Sequence, residues 1–249
     1  MNLDHVLREA AQLYPEELVQ GQLRDIPRIA FNIRLALAGG EPQGLAICDL
    51  GGGVGLFTVG CAALGMQPVL VDDFGDRVNL QHGNSAFAAH RRFGVQIVSR
   101  DVVKEGIADL GPFDVVTSFD SMEHWHHSPK ALFAQVRAKL KPGGRFVLGV
   151  PNCVNLRKRI TIPFGVGKWS SIDEWYGADS FRGHVREPDV GDLRFIARDM
   201  DLREVKILGR NWQGYYSPRQ WIRQATKVAD VPLRAFPGLC ADLYLTGRV

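Results

Sequence analysis

The feature of this sequence that most restricts its fold is an apolar run that enters a glycine-rich turn directly. From Ile47 to Gly55 the chain reads Ile-Cys-Asp-Leu-Gly-Gly-Gly-Val-Gly. Glycine permits a sharp backbone turn and leaves room for a ligand, and a helix that follows offers N–H groups at its start. A strand, a glycine turn and a helix in this order predict a site for a nucleoside-type cofactor.

Six further apolar runs follow, and helical patterns fill most of the intervals between them. The predicted strands cover residues 45–50, 68–71, 95–98, 113–119, 145–150, 204–208 and 242–246. Such alternation predicts an α/β fold, in which helices cover a mostly parallel sheet. One helical interval, residues 76–93, contains Gly83, where we expect a break because glycine is unfavourable inside a helix.

Two regions fall outside this alternation, although nothing in the sequence indicates a repeat or a second domain. Residues 1–40 are expected to form a helical N-terminal extension. Residues 152–186 separate the fifth strand from the next helix, and loops longer than about 12 to 15 residues are commonly functional lids or disordered. This segment is rich in aromatic residues, so we expect an ordered lid within a single domain, residues 1–249.

The composition is that of a globular protein and excludes several classes. Hydrophobic residues make up 45% of the 249 positions and charged residues 23%, and the net charge of +3 is too small to indicate nucleic-acid binding. Neither a signal peptide nor a membrane-spanning run is evident. Four scattered cysteines without a C-x-x-C pair are expected to be reduced. We therefore expect a cytoplasmic protein.

The spacing of the glycines separates two kinds of cofactor. The dinucleotide fingerprint G-x-G-x-x-G fails in both registers, because its last position falls on Leu56 or Thr58. The pattern present is D-x-G-x-G-x-G, from Asp49 to Gly55. It resembles motif I of class I S-adenosylmethionine-dependent methyltransferases, which more often read Gly-Cys-Gly or Gly-Thr-Gly at the centre. A nicotinamide dehydrogenase is therefore disfavoured.

The resemblance extends along most of the chain. Asp72 ends the second strand, Asp101-Val102 follow the third, residues 113–124 resemble the fourth-strand motif, and residues 140–144, Leu-Lys-Pro-Gly-Gly, resemble the turn before the fifth strand. The family implies S-adenosylmethionine as cofactor and a seven-stranded sheet of order 3-2-1-4-5-7-6, with strand 7 antiparallel and helices on both faces. The cofactor-binding residues that it implies are Asp49, Gly51, Gly53, Gly55, Asp72, Asp101, Val102 and Phe119.

The loop after the fourth strand, residues 120–128, holds three of the seven histidines. Histidine titrates near neutral pH and suits a general base, and related small-molecule methyltransferases place a catalytic histidine at this point. We expect His124 to be the base, with Glu123 orienting it and His184 as a second candidate. The alternative is that these are solvated loop residues. No metal is expected, because H-x-H-H in one loop lacks the separated ligand set of a zinc site.

The predicted function is methylation of a small-molecule acceptor. Aromatic and basic residues in the lid, among them Trp169, Trp175 and the triplet Arg157-Lys158-Arg159, would suit a sugar or a phosphorylated glycan precursor. A secondary metabolite, or an aromatic or quinone-like hydroxyl, is an alternative, as is a catalytically silent scaffold. The fourth strand lacks the D-P-P-Y type motif of nucleobase and glutamine N-methylation. Whether the chain forms a homodimer is left open.

Overall fold

The computed structural model describes residues 2–167 and 171–249, without the side chains of residues 77–79. The strands are β1 (Ala46–Leu50), β2 (Gln67–Asp72), β3 (Gln96–Ser99), β4 (Phe113–Phe119), β5 (Leu140–Pro151), β6 (Arg203–Arg210) and β7 (Asp242–Arg248). The helices are α1 (Leu3–Ala11), α2 (Glu16–Leu37), α3 (Phe57–Ala63), α4 (Arg77–His82), α5 (Ala88–Arg92), α6 (Val102–Glu105), α7 (Lys130–Lys139), α8 (Leu156–Thr161), α9 (Ile172–Tyr176), α10 (Val190–Asp199), α11 (Trp212–Tyr216) and α12 (Gln220–Leu233). Short 3₁₀ helices cover Gly83–Phe87, Met122–His124, Ile162–Phe164 and Pro237–Leu239.

The seven strands form one sheet in the hydrogen-bonded order β3-β2-β1-β4-β5-β7-β6. β1 is parallel to β2 and β4, β2 is parallel to β3, and β6 and β7 are antiparallel. The predicted fold class, strand order and antiparallel last strand are confirmed. Parallel register places Leu50 beside Val71, so the ends of β1 and β2 lie side by side.

The start of the fifth strand is a correction, whereas the expected turn is present, since Gly143 has a φ of +75° in the left-handed region. β5 begins at Leu140, at the end of α7, and so includes the Lys-Pro-Gly-Gly segment. Gly143 donates its N–H to the carbonyl of Val249, and the N–H of Val249 bonds to the carbonyl of Gly144. The segment thus combines a local turn with hydrogen bonds to a residue that is distant in the sequence.

The chain divides into two compact units. The first comprises Met1–Phe119, Pro129–Val147 and Val249, and the second comprises Asp120–Ser128 and Leu148–Arg248. In the first unit, α1 and α2 pack on each other and on α3, and apolar side chains from these helices share one core with those of β1 and β2. The helical N-terminal extension is thus confirmed, and its residues belong to the core. In the second unit, α10 packs against β6 and β7.

The break expected at Gly83 is present, and the insertion after β5 is described in part. Gly83 has a φ of +51°, and there α4 gives way to a 3₁₀ turn, which confirms the break. In the insertion, residues 152–186, α8, a 3₁₀ turn and α9 are the helical segments described. Lys168 and Trp169, which were expected to contribute to the lid, lie outside the described residues. Among the described residues, every helix is too short or too polar to span a bilayer.

Removal of a buried α1 side chain tests whether the extension stabilises the fold. Leu7 is fully buried in the core of the first unit. Leu7→Ala should lower the free energy of unfolding by about 3 kcal/mol, because it removes apolar contacts and leaves a cavity. The exposed Leu80 gives the matched control, and Leu80→Ala should cost less than about 0.5 kcal/mol. Urea unfolding measures both, and equal losses would contradict a structural role for α1.

Candidate active site

The glycine turn adopts backbone conformations that demand glycine. Gly51 and Gly53 have φ values of +71° and +54°, in the left-handed region where other residues are strained. The N–H of Gly51 donates to the carbonyl of Val71 at 2.7 Å, which fixes the turn to the end of β2. At Gly52 a Cβ atom would overlap the carboxylate of Asp49, so a larger residue there would require the Asp49 side chain to shift.

Asp72, at the end of β2, supports this turn through both carboxylate oxygens. Oδ2 accepts the N–H of Gly53 at 3.0 Å, and Oδ1 accepts the N–H of Phe74 at 2.7 Å. Burial raises the pKa of Asp72, although the two backbone hydrogen bonds oppose that shift. Each carboxylate oxygen has two acceptor positions, so Asp72 retains capacity to accept further hydrogen bonds.

Asp49 lies beneath the turn rather than at its surface. It is buried, and the hydroxyl of Thr117 donates to its Oδ1 at 2.7 Å. Burial raises the pKa of Asp49 to about 7; the Thr117 hydrogen bond lowers it and the charge of Asp72 raises it further. Asp49 therefore supports the glycine turn through its position against Gly52.

The remaining predicted cofactor residues lie at the ends of β3 and β4. Asp101 caps α6 by accepting the N–H groups of Val103 and Lys104, and its carboxylate pairs with the Lys104 amine at 3.0 Å. Burial opposes ionisation of Asp101, but its contacts with Lys104 outweigh this and lower its pKa. Val102 is buried, and the Phe119 ring packs edge-to-face on Phe57 at 5.0 Å between centroids. Cofactor binding by Asp101 stays a prediction, and its observed role is that of a helix cap.

In the second unit, the three predicted catalytic residues come together. Glu123 and His124 lie in the 3₁₀ helix after β4, and His184 comes from the end of the insertion. The His124 and His184 rings meet edge-to-face, with centroids 4.8 Å apart, and Nε2 of His184 is 4.0 Å from Oε1 of Glu123. The backbone carbonyl of Glu123 accepts the N–H groups of Val185 and Arg186, at 2.6 and 3.2 Å. The structure thus joins two distant segments into one polar cluster.

The ring of His124 is oriented by a backbone carbonyl. Its Nδ1 is 2.8 Å from the carbonyl oxygen of Arg182, whereas the Glu123 carboxylate faces His184. Burial lowers the pKa of His124, the hydrogen bond to Arg182 raises it, and the neighbouring His184 lowers it further. The net shift favours neutral imidazole. Among the other loop histidines, His126 bonds to the carbonyl of Phe181 and His127 is exposed.

Two residues that support His184 escaped the sequence interpretation. Nδ1 of His184 is 2.7 Å from Oε1 of Glu187, whose other oxygen pairs with Lys158. Burial opposes ionisation of Glu187, but hydrogen bonds from His184 and Lys158 prevail and lower its pKa to about 2. The signal for Glu187 was its spacing of three residues from His184. Lys158, expected on a solvated or phosphate-binding surface, is instead buried in this ion pair.

A family model described as a methyltransferase domain matches residues 22–207 of the chain. The chain belongs to this family of methyltransferases. The predicted recognition as a class I S-adenosylmethionine-dependent methyltransferase is thereby confirmed, and S-adenosylmethionine is the cofactor of the class. A curated relative, a ubiquinone biosynthesis O-methyltransferase of Xanthomonas axonopodis pv. citri (strain 306), is 32% identical over 114 residues. That alignment covers 45% of this chain and 45% of the relative.

Solved structures of methyltransferases share the fold at low sequence identity. Phosphoethanolamine N-methyltransferase 2 of Haemonchus contortus, in complex with S-adenosyl-L-methionine, is similar with a TM-score of 0.59 and 15% identity. The similarity covers 89% of this methyltransferase and 52% of that chain. A SAM-dependent methyltransferase from Archaeoglobus fulgidus has a TM-score of 0.54 and 17% identity, over 91% of this chain and 94% of the other. These similarities support the fold.

Asp49 gives a pH-dependent test of the buried carboxylate. Its pKa is raised to about 7 in the folded state, against about 3.9 when unfolded, so folding opposes its ionisation. Stability should therefore fall as pH rises between these two values, and Asp49→Asn should remove this contribution. Relative to wild type, the variant should gain stability between pH 4.5 and 7.5 in urea unfolding. The exposed Asp73→Asn is the control; parallel pH profiles for wild type and Asp49→Asn would contradict the assignment.

Asp72 gives a test of the cofactor site. Asp72→Ala should weaken S-adenosylhomocysteine binding at least about tenfold. The substitution removes the carboxylate that holds the glycine turn, and with it a hydrogen-bond acceptor for the ligand. Calorimetric titration measures the affinity, and circular dichroism verifies the fold. The matched control is Asp73→Ala, which removes the adjacent exposed carboxylate and should bind normally. Equal affinity in the two variants would remove Asp72 from the site.

Proposed function

We propose that this methyltransferase transfers the methyl group of S-adenosylmethionine to a hydroxyl oxygen of a small-molecule acceptor. The observation that carries the proposal is the ring orientation of His124, beside Glu123 and His184. An oxygen nucleophile needs to lose its proton, and a fixed neutral imidazole is suited to take it. The similarity to a ubiquinone biosynthesis O-methyltransferase supports an oxygen acceptor.

The residues of the glycine turn fit the cofactor. Gly51 and Gly53 adopt conformations that bring bare backbone to the surface of the turn, and Asp72 has acceptor capacity for ribose hydroxyls. Gly55, Val102 and Phe119 are proposed to complete the site with Asp49 and Asp101. S-adenosylmethionine supplies a methyl group that its sulfonium has already activated. The protein therefore needs to align the acceptor and remove its proton, without a covalent enzyme intermediate.

His124 is the proposed proton acceptor. A carbonyl oxygen only accepts hydrogen bonds, so Nδ1, which faces the Arg182 carbonyl, carries the ring proton. Nε2 of neutral His124 then has the lone pair that a general base requires. His184 is the second candidate, and the Lys158–Glu187 pair fixes its ring in the same way. Glu123 is proposed to stabilise the positive charge that develops on either imidazole after proton transfer.

Two acceptor classes are consistent with this chemistry. The exposed side chains of Trp175, Tyr176 and Arg157 in the insertion support a sugar, a glycan precursor or another polar secondary metabolite. Burial of Lys158 leaves less of the basic triplet for a phosphate than the sequence suggested. The similarity to an enzyme of ubiquinone biosynthesis favours an aromatic or quinone-like hydroxyl as the second candidate. A cytoplasmic location and the absence of a nucleic-acid partner stay predictions, and homodimerisation stays an open question.

Replacement of His124 tests the proposed base. His124→Ala should reduce turnover at least about a hundredfold, because general-base catalysis contributes about 10² to 10⁴ in rate. The affinity for S-adenosylhomocysteine should change little, since the cofactor residues are untouched. Methyl transfer from radiolabelled cofactor to panels of sugar and phenolic acceptors measures turnover.

The control for this experiment is His127→Ala, which replaces an exposed histidine of the same loop. Near-normal turnover in His124→Ala would end its candidacy as the base. Cofactor binding without methylation of any hydroxyl acceptor would favour the scaffold alternative.

A further inference from the structure

The proposed catalytic cluster has the composition of a metal site. One ligand atom each from Glu123, His124 and His184 lies within 4.8 Å of the others. We propose that this cluster binds one divalent transition-metal cation, of the class of Zn²⁺. The catalytic consequence of this inference rests on the proposed function, but cation binding itself does not.

The orientation of both imidazoles is the one that metal-bound histidines adopt. Nδ1 of His124 lies 2.8 Å from a backbone carbonyl, and Nδ1 of His184 lies 2.7 Å from the Glu187 carboxylate. Histidine ligands in proteins almost always donate the second ring N–H to such an oxygen, which fixes the tautomer and the ring. In both residues Nε2 is then the nitrogen available to a cation.

Contacts around the cluster hold the three ligands in place. Lys158 pairs with Glu187 and so fixes the oxygen that orients His184. The N–H groups of Val185 and Arg186 donate to the backbone carbonyl of Glu123 and join the two ligand-bearing segments. Glu123 is almost fully buried, and shielding from water strengthens the attraction between its carboxylate and a cation.

The ligand types select the kind of cation. Mg²⁺ and Ca²⁺ prefer oxygen ligands, whereas two imidazoles and one carboxylate suit Zn²⁺ and its neighbours in the first transition series. Zn–N and Zn–O bonds of about 2.1 Å place tetrahedral ligands roughly 3.4 Å apart. Oε1 of Glu123 and Nε2 of His184 are 4.0 Å apart, so side-chain shifts of about 1 Å close the site. Three protein ligands leave a fourth position open, as in catalytic zinc sites.

The cation changes which group activates the acceptor. With both imidazoles acting as ligands, a hydroxyl of the acceptor takes the open position, and the cation lowers the hydroxyl pKa. The O–H bond breaks, the proton passes to a water molecule, and the oxygen keeps the electron pair with which it attacks the methyl group. The C–O bond forms as the C–S bond of the cofactor breaks, and the sulfur keeps that electron pair, so S-adenosylhomocysteine is the leaving group. The expectation that no metal binds considered only the histidines of residues 120–128; His184 supplies the separated ligand that the expectation lacked.

Calorimetric titration of the full, chelator-treated chain with ZnCl₂ tests the site. We expect one Zn²⁺ per chain, and at least about tenfold weaker binding in His184→Gln. The matched control His127→Gln changes an exposed loop histidine outside the cluster and should bind as wild type does. Glu187→Gln keeps all three ligands and should weaken Zn²⁺ binding about tenfold, as loss of an orienting partner does.

Three results would overturn the inference: no Zn²⁺ binding, equal binding in wild type and His184→Gln, or tighter binding of Mg²⁺ than of Zn²⁺. Unchanged S-adenosylhomocysteine affinity verifies that each variant is folded. Turnover that chelation abolishes and Zn²⁺ restores would support the catalytic consequence, and turnover unaffected by chelation would overturn it. Zn²⁺ binding that requires His184, without methylation of any hydroxyl acceptor, would support the site and refute only the proposed function.

Discussion

The predicted cofactor site of this methyltransferase depends on the hydrogen bonds that tie the glycine turn after β1 to the end of β2. Gly51 donates to the Val71 carbonyl, and Gly53 donates to the Asp72 carboxylate. Because β1 and β2 are parallel and in register there, one carboxylate can hold the turn and still accept from a ligand. The buried Asp49 carboxylate lies against Gly52, where a Cβ atom would overlap it. The backbone conformation of the turn and the register of β1 and β2 thus place the predicted ligand-binding groups next to each other.

Most of the fold could be predicted from the sequence, because buried parallel strands appear as apolar runs and the motifs fixed their order by resemblance. The start of β5 could not. Residues 141–144 have the composition of a turn and keep the left-handed Gly143, yet they belong to β5, and Gly143 and Gly144 bond to Val249, which is far away in the sequence. Local patterns contain no information about such a distant partner. Asp101 shows a second limit of prediction from sequence. An acidic residue after a strand can cap a helix as readily as it can bind a ligand, and the sequence does not separate the two roles.

The proposed catalytic cluster was predictable by residue type and only in part by arrangement. Glu123 and His124 stood out beside each other in a histidine-rich loop, whereas their proximity to His184 depends on the path of residues 152–186. The Lys158–Glu187 pair was hidden for the same reason, and the lysine was interpreted as a surface charge. The residue types of the cluster are therefore easier to predict from sequence than the buried contacts that fix its geometry. Those contacts make the cluster suitable both for proton removal and for a cation.

The central claim is that the glycine turn and Asp72 form a site for the S-adenosyl cofactor in this chain. The most direct test is calorimetric titration of the wild-type protein with S-adenosylhomocysteine, with NAD as the comparison ligand. We expect one site per chain with micromolar affinity for S-adenosylhomocysteine and no binding of NAD. Absence of S-adenosylhomocysteine binding, or binding of NAD in its place, would contradict it.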